Sequence, residues 1–533
     1  MTPLWSFPLR ILMIASEAPP IRSGIARSIE RLQDGLCSRG HIVDVIAHPE
    51  VPRFVFGEVR LSALTLALPR LHRLFGAYDV VHVHGAVPTV SDVVLLYARW
   101  QKRNRPPVVY THHCDLAVGP LDFPNRLYNR LHKGLVARSA DAVVRTTLGY
   151  AGDDSAWVIP LGVDPDRFAP VAPRDPGFTV LFVGQFRPYK GARLLLRAMA
   201  RVHGARLLLA GHGPELAEYR ALATSLGLDV EFHVAPEDAE LRELYGRAHV
   251  VVLPSINRAE AFGLVLLEGM AAGCVPVASD LSGIREVLGR IGFTFPPGSV
   301  DGLAARLRFL RDNPQLVQTV AARARARVGS FTWERTVIDY ERLFTSLVAA
   351  RHLRRTLLDS DHSADNLSIY ASQVAASLNA DKVQIFLADG QPSRLRLAAS
   401  SNGSDAQTQL DQPAVLLASY AAQTGEIAVV TPERRPPHLE RALGAWSGPA
   451  MAAPIVLSSG GEPFGAILAA CEGPITDRDA EGLRMMAQYA GAPLWACHRR
   501  AVIERGNDIG ITPRSAASAE PGGHRLASLF SAQ

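Results

Sequence analysis

The feature that most limits what this chain can fold into is a repeated alternation of short apolar runs with stretches of helical spacing. "RILMIAS", "HIVDVIA", "DVVHVHG", "PPVVYTHH", "DAVVRTT" and "AWVIPLGVD" form a first series, and "FTVLFVGQF", "ARLLLAGHG", "VEFHVA", "HVVVLPS" and "CVPVASD" a second. Near-continuous apolar runs imply strands covered on both faces. Strands of that kind, joined by helical segments, build right-handed βαβ units and parallel sheets. Two series in succession predict an α/β architecture of two Rossmann-like domains, over residues 1–168 and 169–350. Between them, "LGVDPDRFAPVAPRDPGF" reads as a linker from its prolines and aspartates. Ligands of open parallel sheets bind beyond the carboxyl ends of the strands, so the expected site is a cleft between the two domains.

The helical pattern "TWERTVIDYERLFTSLVAARHLRR" closes this region, and the grammar then changes. Over residues 356–499, consecutive strand patterns ("KVQIFLAD", "RLRLAASS", "EIAVVT", "AMAAPIVLS", "FGAILAAC") are flanked by helical ones, which predicts an α+β domain with a mostly antiparallel sheet. Residues 500–533, rich in Ser, Ala, Gly and Pro, read as a flexible tail. A chain of 533 residues, 48% of them hydrophobic, is long enough for several such cores.

Composition excludes several classes. The net charge of +5 is spread along the chain rather than gathered in one block, so no nucleic-acid partner is implied. Five cysteines without a CxxC argue against a disulfide framework and a zinc site, and for a reducing compartment. No stretch is apolar for long enough to span a bilayer, so a cytoplasmic protein is expected.

The chemistry-bearing residues cluster at predicted strand ends. In "EAFGLVLLE", Glu260 falls in a loop and Glu268 inside a helix, bracketing a buried helix start whose N–H groups, from about Phe262 through Gly263 to Leu264, can bind an anion. Carboxylates on either side of that start suit the hydroxyls of sugars flanking a diphosphate. In "FVGQFRPYKG" a strand ends at Gly184, and Arg187 and Lys190 follow. A guanidinium fork and an ammonium three residues apart suit a diphosphate leaving group. "THHCD" carries His112, His113 and Asp115, and "HVHG" carries His82 and His84, for which packing, or support of a neighbouring site residue, is the favoured reading. No carboxylate joins these histidines at metal-ligand spacing, so no metal is expected.

"VGQFRPYKG", "AGHGPE", "LYGRAHVVVLPS", "EAFGLVLLEGMAAGCVPVAS" and "VIPLGVDPDRF", in these relative positions, resemble the retaining nucleotide-sugar glycosyltransferases of family 4, with the two-domain GT-B fold, over roughly residues 9–350. The resemblance implies that Arg187 and Lys190 bind the donor diphosphate, that Glu268 holds the nucleotide ribose and that Glu260 contacts the transferred sugar. It also implies that backbone amides of Phe262, Gly263 and Leu264 face sugar and phosphate, that His113 stands next to the sugar, and that the terminal helix returns to the first domain. The implied reaction is metal-independent, with no resident cofactor. The departing diphosphate is stabilised by cations and a helix start, and the acceptor attacks from the same face, retaining configuration. Two departures stand out: "PPIRSGIARS" has Ser23 before Gly24 where the family carries paired glycines, and Leu161 stands where asparagine is common.

Residues 356–499 resemble a GAF domain, which implies a regulatory or dimerising module and so a homodimer partner. Cys471 reads there as core. The helical segment "LDFPNRLYNRLHKGLVARSAD" interleaves Arg126, Arg130, Lys133 and Arg138 with Leu127, Leu131 and Leu135. Packing on the sheet is its first reading and peripheral contact with anionic lipid at the inner membrane face its second. The expected function is transfer of a sugar from a nucleotide-diphosphate sugar to an acceptor that the residues do not identify. A nucleotide-sugar sensor without turnover, or an epimerase or phosphorylase on the same fold, stays open as an alternative.

Overall fold

The computed structural model describes most residues between Pro8 and Trp495; the ends and short interruptions, the longest at 403–411 and 432–447, lie outside the described residues. Outside them too are the expected tail, residues 102–104 and 360–362, and Cys114 and Cys497. The chain divides into two compact units, Met1–Glu341 and Arg342–Gln533, with the division inside a helix, Trp333–Asp359.

The first unit holds two six-stranded sheets. The first contains β1 (Arg10–Ile14) and β2 (Ile42–Ile46); after a separate hairpin of β3 (Arg53–Phe56) and β4 (Val59–Ser62), it continues with β5 (Val80–Gly85), β6 (Val108–His112), β7 (Ala142–Arg145) and β8 (Trp157–Val158). Its order is β2-β1-β5-β6-β7-β8, with every pairing parallel. The second contains β9 (Phe178–Val183), β10 (Ala205–Gly211), β11 (Val230–Val234), β12 (Val250–Leu253), β13 (Val275–Ser279) and β14 (Phe293–Phe295), in the order β11-β10-β9-β12-β13-β14, again all parallel. Each order reverses beside its first strand, at β1/β5 and at β9/β12, and those reversals open the crevices where ligands of such sheets bind.

The apolar runs are continuous because neighbouring residues enter opposite cores. Val180 and Phe182, Leu207 and Leu209, and Val250 and Val252 join one cluster, while Leu181, Leu208, Ala210, Val251 and Leu253 join the other. The predicted linker lies between β8 and β9, but it is not a solvated connection: Leu161, Val163 and Phe168 are buried in the second cluster. Apolar side chains at these positions override the turn chemistry of the surrounding prolines and aspartates. The β3–β4 hairpin and β14 were not anticipated, since strands of three or four residues leave little periodic signal.

The start of the helix Trp333–Asp359 returns to the first sheet. Glu341, fully buried, accepts from Arg39 Nε at 2.5 Å and from His41 Nε2 at 3.0 Å. Leu9 N–H donates to His41 Nδ1 at 3.1 Å, which puts the ring proton on Nε2, facing the carboxylate. Burial opposes ionisation of Glu341, but the bonds from His41 and Arg39 hold its carboxyl below the ordinary value. Tyr340 reaches the Thr111 hydroxyl at 2.8 Å.

The second unit contains β15 (Lys382–Ala388), β16 (Leu395–Ser400), β17 (Ala428–Val430), β18 (Ala450–Val456) and β19 (Pro463–Ala470), antiparallel in the order β16-β15-β19-β18-β17. The helix Gln412–Thr424 packs an alanine-rich side onto β18 and β19, and the helix Ser363–Leu378 packs against β15 and β16. Cys471 departs from its core assignment: it is half-buried just past β19, where burial, with Asp479 and Asp381, pushes its thiol up to about 11.

Glu341→Gln should destabilise the first unit by about 3 kcal/mol, because Arg39 is left buried without a counter-charge. A drop in the first urea-unfolding midpoint measures it; an unchanged midpoint contradicts the anchoring role.

Candidate functional site

The loop after β9 carries Gly184, Arg187 and Lys190 to the β9/β12 reversal. A short turn over Pro188–Lys190 is closed by Gly191, with φ 74°. A Cβ there would lie 2.0 Å from the Pro254 carbonyl oxygen, so only glycine lets this turn rest on the end of β12. The Ile256 N–H donates to the Tyr189 carbonyl at 2.9 Å, tying the loops after β9 and β12 together. Across this junction Lys190 Nζ meets Glu260 Oε2 at 2.5 Å, and the Ser255 hydroxyl reaches the same oxygen at 3.3 Å. Arg187 Nε donates to Gln185 Oε1 at 3.3 Å, and the Arg187 carbonyl accepts from the Tyr219 hydroxyl at the same distance. Behind this loop, Gly211 has φ 153°, and a Cβ would lie 1.8 Å from the Gly184 carbonyl oxygen. The "AGHGPE" segment therefore backs the cation loop, a role its sequence had not suggested.

The helix Leu264–Ala271 starts from Gly263, beside the buried Phe262 ring, which packs edge-on against Phe331 at 6.2 Å. Glu268, one turn in, is buried with both oxygens bonded: Oε1 to an Arg27 guanidinium nitrogen and Oε2 to the Tyr245 hydroxyl at 2.8 Å. Glu268 holds the Arg27 guanidinium above its ordinary value, against the effect of burial, and burial pushes the Tyr245 hydroxyl well up. Arg27 lies on the helix Gly24–Ser38 of the first domain, whose first residue faces the same helix start: a Cβ on Gly24 would sit 3.8 Å from Leu264 Cδ1. Ser23 caps that helix, its hydroxyl accepting from Ala26 N at 3.1 Å. Sequence reasoning missed Arg27, which no local pattern marks, and Tyr245, although "LYGRAHVVVLPS" contains it.

His113 sits in a separate cluster at the ends of β5 and β6. Its Nε2 is 2.9 Å from His84 Nδ1, and its N–H donates to the Gly85 carbonyl at 2.8 Å. The His82 ring centre stands 4.1 Å from that of His84, and its Nε2 is 2.7 Å from the Thr111 hydroxyl. Burial lowers His113 to about 4, His82 to about 3 and His84 well below the ordinary value, so these imidazoles are neutral at pH 7. His84, expected to pack or to support a neighbouring residue, is the hydrogen-bond partner of His113. Burial also lowers His112, against the pull of Asp115 at 3.1 Å. Among the described residues no group of three or more His, Cys, Asp or Glu side chains could hold a metal ion, and no helix is long and apolar enough to cross a membrane.

These rings stay neutral in the fold but take up protons once unfolded, so stability falls as pH drops from about 6.5 toward about 4, each ring adding up to about 1.4 kcal/mol per pH unit. Melting midpoints should therefore fall steeply below about pH 6, and His84→Asn should flatten that limb. A flat wild-type profile would refute it.

Residues 164–327 match the family described as "Glycosyl transferases group 1", and residues 23–174 match "Glycosyl transferase 4-like domain". A phosphatidyl-myo-inositol mannosyltransferase of Mycolicibacterium smegmatis is 30% identical over 376 residues, which cover 64% of this chain and 95% of that protein. A GDP-mannose:cellobiosyl-diphosphopolyprenol alpha-mannosyltransferase of Komagataeibacter xylinus is 26% identical over 300 residues, covering 52% of this chain and 74% of that protein. Among solved structures, a sucrose-phosphate synthase of Thermosynechococcus elongatus shares the fold with a TM-score of 0.54 at 23% identity, over 64% of this chain and all of that one. The two family matches together run from residue 23 to residue 327, across both parallel sheets apart from β1, and the chain belongs to the group 1 glycosyltransferases, of GT-B fold.

Proposed function

We propose that this glycosyltransferase takes its sugar from a nucleoside diphosphate sugar, with retention of configuration and without a metal ion. The observation that carries the reading is the Lys190–Glu260 contact, which joins the loops after β9 and β12 at the point where the sheet order reverses. In the proposed roles, Lys190 and Arg187 take the diphosphate, aided by the N–H groups of Gly263 and Leu264; Gly184 leaves room for it. Glu260 meets the transferred sugar and Glu268 the ribose. Gly24 faces the same helix start from the acceptor side, and neutral His113 hydrogen-bonds a sugar hydroxyl. Charge develops on the leaving diphosphate, and cations held in place before reaction stabilise it without reorganisation. The names of the two relatives make a mannosyl donor, and a lipid-linked acceptor, the first to test. A cytoplasmic location is supported by the free thiols of Cys37, Cys274 and Cys471 among the described residues.

Arg187→Ala and Lys190→Ala should each lower turnover about a hundredfold, equivalent to on the order of 3 kcal/mol. Because Lys190 and Glu260 touch, Lys190→Ala combined with Glu260→Ala should cost less than the sum of the single losses. Glu268→Gln should weaken binding of the free nucleoside diphosphate as well as the sugar nucleotide, whereas Glu260→Gln should act mainly on the sugar nucleotide. Titration calorimetry with GDP, UDP and ADP and their sugars decides this, and near-wild-type transfer by both cation variants would end the assignment.

For residues 356–499 we propose a GAF-like module that tunes or dimerises the transferase; its five-stranded antiparallel sheet with flanking helices supports that reading. A chain ending at Arg355 should bind the donor as tightly as the full chain does but differ in oligomeric state or acceptor turnover. If it folds yet binds no donor, the module is part of the active site and the proposal fails.

A further inference from the structure

We infer that the face formed by the helices Ser91–Trp100 and Asp122–Ser139 docks on an anionic lipid surface. Four of the large exposed hydrophobic side chains among the described residues lie on these two helices: Leu96 at 55%, Trp100 at 78%, Leu127 at 47% and Leu131 at 65% exposure. The helices pack against each other and are tied by Asp92, which accepts from the Tyr128 hydroxyl at 3.1 Å and meets His132 Nδ1 at 2.5 Å. Those bonds fix the rotation of the second helix. His132 and Val136 turn inward and Leu135 packs on the first-domain core, while Leu127 and Leu131, four residues apart, turn outward.

The packing reading of this segment therefore accounts for one leucine and leaves two without cover. Charge selects the occupant. Arg99, Arg126, Arg130, Lys133 and Arg138 are exposed on the same two helices, and the only acidic residues in them are Asp92, already bonded inward, and Asp122. A second copy of this face would set cations against cations. A lipid surface of negative headgroups satisfies both features: leucines enter the boundary with the acyl chains, tryptophan lies at headgroup level, and arginine and lysine stems extend toward phosphates. The surface lies on the acceptor-side domain, yet the inference does not depend on the roles given to Glu260, Glu268, Arg187 or Lys190.

Flotation of the full chain with vesicles tests it. The protein should float with phosphatidylcholine vesicles containing phosphatidylglycerol, not with phosphatidylcholine alone, and added salt should release it. Trp100→Ser with Leu131→Ser, and separately Arg130→Glu with Arg138→Glu, should each reduce the bound fraction roughly tenfold or more. Nucleotide affinity should stay at the wild-type value, which shows that the fold survives. No flotation of the wild-type chain, or flotation of both double variants at the wild-type level, would overturn the inference. So would a dimer in solution that the Trp100→Ser, Leu131→Ser variant alone dissociates, because the face would then belong to a second copy. Failure here leaves the transferase assignment standing, since calorimetry with nucleotides reads that separately.

Discussion

A parallel strand covered on both faces has no place for a charged side chain except at its ends. That constraint organises the first unit. The interiors of β9, β10 and β12 are filled by Val, Leu, Phe and Ala that alternate between two cores, and the ionic groups of the candidate site fall in the loops beyond the carboxyl ends. Because the sheet order reverses at β9/β12, the loops leaving these two strands diverge to opposite faces. A lysine after one and a glutamate after the other can therefore meet over the gap.

The site is set by contacts between loops more than by any one loop. Lys190 depends on Gly191 resting on Pro254, the cation loop depends on the glycines of the next strand end, and Glu268 depends on a tyrosine and an arginine from different elements. The histidine cluster follows the same logic at lower polarity. Burial keeps its rings neutral, so they offer hydrogen bonds without adding charge beside the anionic groups a glycosyl donor brings.

Much of this was legible in the sequence because periodicity and strand-end chemistry are local signals. Continuous apolar runs announced the parallel sheets, and the cations after "LFVG" and the glutamates around "FGLVLL" stood where such sheets place their ligands. What was not legible depends on distance along the chain. Arg27 lies 241 positions from the carboxylate it meets, within an amphipathic helix whose other residues explain its pattern without it. His84 was visible as a strand-end residue, but its pairing with His113 follows from the register of β5 against β6, which no single strand encodes. The segment joining the two sheets hid its burial for the converse reason, its local turn residues masking three side chains that the second core takes up.

The anchoring of Glu341 also has a consequence in time. Arg39 and the carboxylate that neutralises it are separated by 302 positions. At roughly 5–20 residues per second of synthesis, that interval is on the order of 15–60 s. In its later part, once β8 has been made, the first parallel sheet has all its strands but still lacks the counter-ion for a guanidinium that the finished fold buries. The first domain therefore waits on the second, and the two are born as one cooperative object although each has the strand order of a complete sheet.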